Sequence, residues 1–311
     1  MRQASVEAIP VNRTLLPFPK VIIFEIVGGC NLRCIMCPHS QLTRPKGLMS
    51  LDLYKRLIDE IASHDRFQTE VWATIMGEVF VHGHAVFDYL DYAKQAGLQK
   101  IYLNSNMVRF EESMLDRLER CGLNKLTVGI DAATRETYDK IRVGGDFDRV
   151  EHNIRFLLDA KRQGRLPELE LVLQFIVQDF NEHEEEAFKA KWMGQGATLK
   201  IRPRLGWGTG VPAPNLCLPD EVRTMPCPWL MRTMSIHWTG HVAQCDAEWN
   251  GERYVGDLNR QTIEEVWLGE LLGKRQRHLN LDFSQEPCRD CKDWQCGLSE
   301  VYPASRVAAA V

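Results

Sequence analysis

The stretch Cys30-Asn31-Leu32-Arg33-Cys34-Ile35-Met36-Cys37 carries three cysteines spaced CxxxCxxC, just after the apolar run Val21-Ile22-Ile23-Phe24-Glu25-Ile26-Val27. A run of that length reads as a strand covered on both faces, with the cysteines in the loop at its C-terminal end. Three thiolates can hold three irons of a four-iron cluster and leave the fourth iron open to a small molecule. The same logic separates open catalytic metal sites from closed structural ones. A zinc knuckle or a redox thiol pair suits the spacing too, so the choice falls to the rest of the chain.

Downstream, one unit recurs. After the first strand at 21–28, Ser50 predicts a helix cap and Leu53, Leu57, Ile58 and Ile61 give the helix an apolar stripe. Further strands are expected at 70–76, 100–103, 125–130, 168–177 and 198–201, and helices at 85–95, 111–120, 135–141, 147–163 and 182–193. Polar residues recur just past the strand ends, in Met76-Gly77-Glu78, Asn104-Ser105-Asn106, Asp131 and Arg202-Pro203-Arg204. Six strands alternating with helices predict an α/β fold with parallel strands and right-handed crossovers, whose strand-end rim carries the chemistry. Over 205–212 glycine and proline accumulate and the helical period fades, which places a boundary near residue 212. Beyond it, 234–238 and 241–244 flank Thr239-Gly240 as a hairpin, 261–267 and 271–279 read as helices, and 288–296 as a loop. Residues 1–19, with Pro10, Pro17 and Pro19, read as an irregular N-terminal extension with no room for a separate recognition domain. Three segments result: 1–19, 20–212 and 213–311.

Composition excludes several classes. The 311 residues are 44% hydrophobic and 26% charged, as in an ordinary folded protein. With 38 basic against 42 acidic side chains and no run of five or six like charges, no nucleic-acid partner is expected. No apolar run reaches the length of a membrane span and the N-terminus lacks a signal-peptide core, so no membrane association and a cytoplasmic location are expected. Ten cysteines in that reducing compartment point to metal rather than disulfides.

Six of those cysteines lie in the last third. Cys227 and Cys245 frame a C-x12-G-x4-C pattern with Gly240 at the turn, and Cys288-x2-Cys291 follows. Four thiolates can fully ligate an auxiliary four-iron cluster, or a structural zinc. Cys121, at a helix end, reads as core.

These features together resemble the radical S-adenosylmethionine (radical SAM) superfamily and its SPASM/twitch subgroup. Cys227-Pro228-Trp229, Gly256-Asp257-Leu258 and Glu264-Glu265-Val266-Trp267 are similar to the subgroup's intervening segments, and the resemblance covers almost all of 20–297. It implies a partial (β/α)6 barrel with a small C-terminal SPASM/twitch-like iron–sulfur domain. Cys30, Cys34 and Cys37 would hold the [4Fe-4S] cluster that binds S-adenosylmethionine, and Cys227, Cys245, Cys288 and Cys291 an auxiliary [4Fe-4S] cluster. Met76-Gly77-Glu78 resembles the motif that contacts the methionine amine, with Gly77 allowing close backbone approach and Glu78 an acceptor. Ser105 and Asn106 resemble the third-strand polar pair, Asp131 the acid that reaches the ribose side, and Arg142 an arginine that grips the carboxylate. At Met36 the superfamily often has an aromatic residue, but methionine is common there in the subgroup; the chain departs from the family pattern at Met76 for glycine, at Val79 for proline and at Gly129 for serine. Only Cys296 follows the CxxC, as in the shorter twitch arrangement of aminocyclitol dehydrogenases.

The resemblance implies that an external donor of the flavodoxin or ferredoxin type reduces the triad's cluster and S-adenosylmethionine is cleaved to methionine and a 5′-deoxyadenosyl radical. That radical would abstract a hydrogen from a small carbohydrate- or aminocyclitol-like substrate, leading to dehydrogenation or epimerisation. Asp246 and Glu248 are candidate bases, and Cys217 and Cys296 candidate hydrogen donors or further ligands. His82 and His84 would line the cavity or lie on the surface, and Trp207, Trp229, Trp238 and Trp249 would wall a sugar pocket or fill core. Two alternatives stand beside this: a maturase acting on a peptide or protein side chain, and a non-catalytic iron–sulfur or zinc-binding protein.

Overall fold

A computed structural model describes residues 5–8, 13–208, 210–211, 223–295 and 298–304. Its strands are β1 (Ser5–Ala8), β2 (Val21–Phe24), β3 (Glu70–Trp72), β4 (Ile101–Ser105), β5 (Lys125–Gly129), β6 (Glu170–Val177) and β7 (Thr198–Pro203). They continue with β8 (Thr233–Ile236), β9 (His241–Ala243), β10 (Tyr254–Asp257) and β11 (Leu298–Tyr302). The helices are α1 (Leu51–Asp65), α2 (Val86–Gln95), α3 (Leu115–Arg120), α4 (Arg135–Ile141), α5 (Phe147–Arg162), α6 (Glu185–Trp192), α7 (Ile263–Leu268) and α8 (Glu270–Leu279).

All eleven strands join one open sheet in the order β1-β11-β7-β6-β5-β4-β3-β2-β8-β9-β10. The six from β2 to β7 are parallel neighbours, which is the partial barrel the alternation predicts. The sheet does not close. Instead β8 pairs in parallel with β2 and leads antiparallel into β9 and β10, so the C-terminal hairpin extends the barrel wall. At the other edge β11 pairs antiparallel with β7 and β1 with β11. The N-terminal extension is therefore not wholly irregular. β1 is a short edge strand whose partner β11 lies almost 300 residues away in sequence, β11 is held between β1 and β7, and neither is legible locally.

The strands alternate. Ile22, Phe24, Val71, Ile101, Leu103, Leu126, Val128, Leu171, Leu173, Phe175, Leu199 and Ile201 are buried in one apolar core under the helices. The residues between them, including Trp72, Tyr102, Asn104, Lys125, Thr127, Gln174 and Lys200, turn inward to a cavity of about 740 Å³. The two-residue period of a strand puts one set under the helices and the other on the barrel wall. α1 buries Tyr54, Leu57, Ile58 and Ile61, the expected stripe shifted by Tyr54 in place of Leu53.

Local caps fix the helix starts. Ser50 Oγ accepts from Leu53 N at 3.5 Å, Thr134 Oγ1 from Thr137 N at 3.4 Å and Asp146 Oδ1 from Arg149 N at 3.1 Å. Thr262 and Glu265 form a reciprocal capping box at α7. Each such cap contributes about 1 kcal/mol. The expected boundary near residue 212 lies outside the described residues. Val242, Val255, Leu258, Ile263, Val266, Trp267 and Leu271 share the same core as the barrel helices. Among the described residues no helix is long and apolar enough to cross a membrane.

Candidate active site

The cysteine loop has almost no regular structure of its own, so its backbone is held from outside. Arg33 N donates to the Val143 carbonyl at 2.8 Å and Ile35 N to the Ile141 carbonyl at 3.0 Å, both at the C-terminal end of α4. Trp207 Nε1 donates to the Met36 carbonyl at 3.0 Å, and His39 Nε2 lies 3.2 Å from the Gly28 carbonyl. Met36 and Leu32 pack with Cys34, Ile141 and Ile176 in a small separate apolar cluster, which accounts for an apolar residue at position 36. Trp238 does not reach the cavity; it lies across Gly28 and Gly47, where an added Cβ would come within 2.7 Å of the indole.

The rim residues converge on this loop. Gly77 is pressed against the end of β2's extension, where any Cβ would overlap the Val27 carbonyl oxygen. Glu78 N donates to the Gly29 carbonyl at 2.8 Å. The Glu78 carboxylate is buried and turned inward: it accepts from Ser105 Oγ at 2.8 Å, Asn106 N at 2.6 Å and Phe80 N at 3.2 Å. Burial pushes its pKa up despite those donors. Asn106 Nδ2 reaches Asn31 Oδ1 at 3.0 Å and Cys30 Sγ at 3.9 Å. Asp131, fully buried with φ of 57°, accepts from Ile176 N at 2.8 Å and pairs with Arg142 Nη2 at 2.5 Å. Arg142 also reaches Cys34 Sγ through Nη1 at 3.6 Å, and its Nε is buried without a partner. The structure thus assigns Asp131, Glu78 and Ser105 to bonds within the protein. Arg142 sits at the cysteine loop with one donor still unused.

The second cysteine set lies on the barrel cavity. Cys227, Cys245, Cys288 and Cys291 line the same cavity as the inner faces of β2–β7. Gln244 and Asp246 flank Cys245 on that wall. Asp246 accepts from Ser235 Oγ with Oδ1 and has no partner at Oδ2. Burial pushes its pKa up to about 6, against the Ser235 hydroxyl. Thr74 Oγ1 and Gln244 Nε2 are also buried without partners, and both residues line the cavity. Trp207 and Trp229 line it as well, whereas Trp249 does not. The Asp293 carboxylate accepts from Gly206 N at 2.6 Å and Gly208 N at 2.7 Å, clamping Trp207, whose φ is 52°. Non-glycine residues in the left-handed region are held there by their surroundings. His82 and His84 are exposed and outside the cavity lining, so they do not wall the site. Glu248 accepts from Gly251 N at 3.0 Å, a turn contact. Cys121 is buried in the core. Cys217 and Cys296 lie outside the described residues.

Both cysteine sets suit an iron–sulfur group. None of the seven is in a disulfide. Burial pushes the pKa of Cys30 and Cys291 up to about 12 and of Cys37 and Cys227 up to about 11. Thiolates in such surroundings need a cationic centre, and metal binding supplies it as protons leave. Leu32 N donates to Cys30 Sγ at 3.4 Å, the kind of contact that supports a thiolate ligand. Among the described residues no three His, Cys, Asp or Glu side chains are gathered tightly enough for a single metal ion. A four-iron cluster, with a thiolate at each ligated corner, takes a wider arrangement than one zinc. The inner-wall residues Thr74, Thr127, Gln174 and Lys200 were not expected from motifs. Their signal in the sequence is the period of two, polar residues alternating with apolar ones in 125–128 and 198–202.

Known proteins agree with this architecture. The sequence model of the Radical SAM superfamily matches residues 24–187, and that of the SPASM iron–sulfur cluster-binding domain matches 227–292. Among curated relatives, the AdoMet-dependent heme synthase of Methanosarcina barkeri is 31% identical over 144 residues, 46% of this chain and 40% of that one. The mycofactocin maturase MftC of Mycobacterium tuberculosis is 28% identical over 211 residues, 65% of this chain and 51% of that one. The matched chain thus spans about half the length of these relatives, or less. Among solved structures, BtrN in complex with AdoMet and 2-DOIA superposes with a TM-score of 0.61 at 17% identity, covering 88% of this chain and 92% of that one. SuiB of Streptococcus suis bound to precursor peptide SuiA gives 0.67 at 11% identity, covering 91% and 72%. The cofactors that go with these domains are S-adenosylmethionine, the four-iron cluster that binds it, and auxiliary iron–sulfur. On the cysteine triad, the open parallel barrel and the matched sequence models together, the chain belongs to the radical SAM superfamily, in its SPASM subfamily.

Proposed function

We propose that this chain is a radical SAM enzyme that abstracts a hydrogen atom from a small carbohydrate- or aminocyclitol-like substrate and completes a dehydrogenation or epimerisation. The observation that carries the reading is the polar inner wall. Thr74 Oγ1, Gln244 Nε2 and Asp246 Oδ2 are buried, unpartnered and on residues lining a cavity of about 740 Å³. Buried polar atoms are ordinarily satisfied, so these three, together with Arg232 Nε on the same wall, mark places for hydroxyl or amino groups of a ligand. Trp207 and Trp229 add aromatic surface against which a ring can lie.

When bound at Cys30, Cys34 and Cys37, the cluster with S-adenosylmethionine supplies the 5′-deoxyadenosyl radical, at the expense of an external one-electron donor of the flavodoxin or ferredoxin type. Arg142 and Asn106 support the sulfurs of the triad and orient its loop. Gly77 keeps the second strand end tight against that loop. Cys227, Cys245, Cys288 and Cys291, which line the cavity, hold one auxiliary cluster. Asp246, anchored by Ser235 and open at its other oxygen, can take the proton of a substrate hydroxyl.

A maturase acting on a peptide side chain is the second reading, favoured by the match to the maturase MftC over 65% of this chain. The deciding experiment is anaerobic reconstitution followed by turnover with aminocyclitols, sugars and peptides. The proposal expects about eight irons per chain, 5′-deoxyadenosine release that a sugar or aminocyclitol stimulates, and no release from Cys30→Ala. Stimulation by peptides alone selects the maturase reading; zinc without cleavage overturns both. In D2O, deuterium at the abstracted carbon marks epimerisation, and a product short of two hydrogens marks dehydrogenation.

A further inference from the structure

His278 near the end of α8 is buried, and its ring lies between two of the auxiliary cysteines. Its Nδ1 accepts from the backbone N–H of Cys227 at 3.2 Å. A backbone amide can only donate, so Nδ1 carries no proton, and the proton of the neutral imidazole sits on Nε2. Nε2 lies 3.3 Å from Cys288 Sγ. Phe283 stands edge-on to the ring at 5.0 Å between centroids, packing the imidazole in this orientation. The ring thus bridges the first cysteine of the C-x12-G-x4-C pattern and the first of the CxxC, which are 61 positions apart in sequence.

We propose that His278 is a positioning residue for the auxiliary cluster, donating an N–H···S hydrogen bond to the Cys288 sulfur and holding the cluster's reduction potential above what unassisted thiolates would give. A donor aimed at a ligand sulfur draws charge from it, and the extra electron of the reduced cluster makes that bond stronger, so the reduced state gains more than the oxidised one. The auxiliary centre becomes a better one-electron acceptor. The proposal rests on the reading that Cys227, Cys245, Cys288 and Cys291 hold a cluster, and its test separates the two.

The test uses the full chain with Cys30, Cys34 and Cys37 each replaced by alanine, so that only the auxiliary site loads. About four irons per chain establish that cluster; a chain without iron removes the cluster reading and this proposal with it. Potentiometric titration followed by electron paramagnetic resonance then compares three chains. His278→Leu, which loses both bonds, is expected to shift the potential negative at unchanged iron content. His278→Gln, whose amide can accept from Cys227 and donate to Cys288, should stay near the parent. Equal potentials in all three overturn the proposal. Should His278→Leu fail to load, pulsed spectroscopy of the parent labelled with [15N]histidine decides. A weak coupling, as across a hydrogen bond, upholds the assignment, while a strong coupling identifies His278 as an iron ligand and no coupling places it away from the cluster; either of these overturns it.

Discussion

Gly129 and Arg142 show why one departure from the family pattern has a physical cause. Family members often carry serine at position 129, but here an added Cβ would fall on the Arg142 guanidinium, which fills that space. From there Arg142 pairs with the fully buried Asp131 and reaches Cys34 Sγ. Gly129→Ser is expected to push the guanidinium off both partners and to destabilise the apo chain by about 2–4 kcal/mol, because it disturbs a buried ion pair and overpacks its site. Chemical denaturation measures that cost, and iron retained at the triad after reconstitution should fall in parallel. Unchanged stability and iron content would show that the guanidinium relocates freely. The sequence marks Gly129 as unusual, but it cannot say that the side chain of residue 142 occupies the missing volume.

At the scale of elements, α4 is the backing of the cysteine loop. Its residues 135–141 follow from the sequence with matching bounds, since Thr134 caps the start and Tyr138 and Ile141 supply the buried face. What the sequence does not show is that Glu184, far along the chain, receives the start of that helix. Its carboxylate accepts from Ala133 N at 2.7 Å, Thr134 N at 3.2 Å, Thr137 Oγ1 at 2.7 Å and the Thr134 hydroxyl. Burial pushes the Glu184 pKa up, but these donors outweigh it and hold the carboxyl below its ordinary value of 4.5. A carboxyl depressed on folding stabilises the fold above its unfolded pKa, and that contribution is lost as pH falls through the folded value. Glu184→Gln should therefore cost about 1.5–3 kcal/mol at neutral pH, and the gap to the parent should narrow as pH drops below 4.5. Denaturation midpoints measured across pH check this, and a gap constant with pH would mean that the charge plays no part.

For the whole molecule, the joint between barrel and C-terminal hairpin runs through Glu25 and Arg44. Glu25, fully buried at the end of β2, takes a two-pronged contact from Arg44 at 2.8 and 2.5 Å and a third donor from Trp238 N at 3.2 Å. Arg44 Nε donates to the Trp249 carbonyl at 2.9 Å, so one arginine ties the segment after the cysteine loop to both β2 and the C-terminal region. Removing one member of a buried pair leaves an uncompensated charge, so Arg44→Met should destabilise by about 3–5 kcal/mol, with Glu25→Leu added to Arg44→Met recovering most of it. Thermal and chemical unfolding of the two variants measure both effects. No recovery in the double variant would mean that the pair's contacts to Trp238 and Trp249, rather than its charge, hold the joint.

The sequence by itself determined the cysteine sets, the alternation of strands and helices, and the superfamily. Those rest on local signals: spacing along the chain, hydrophobic period and helix caps. Tertiary structure alone decided which polar rim groups turn inward to one another, as Glu78 does to Ser105 and Asn106. It also decided that β8 continues the barrel wall beside β2, and that His278 stands between Cys227 and Cys288. Each of these joins residues from ten to about two hundred positions apart through the direction of a side chain or the edge of a sheet, and no local period or propensity encodes such a pairing.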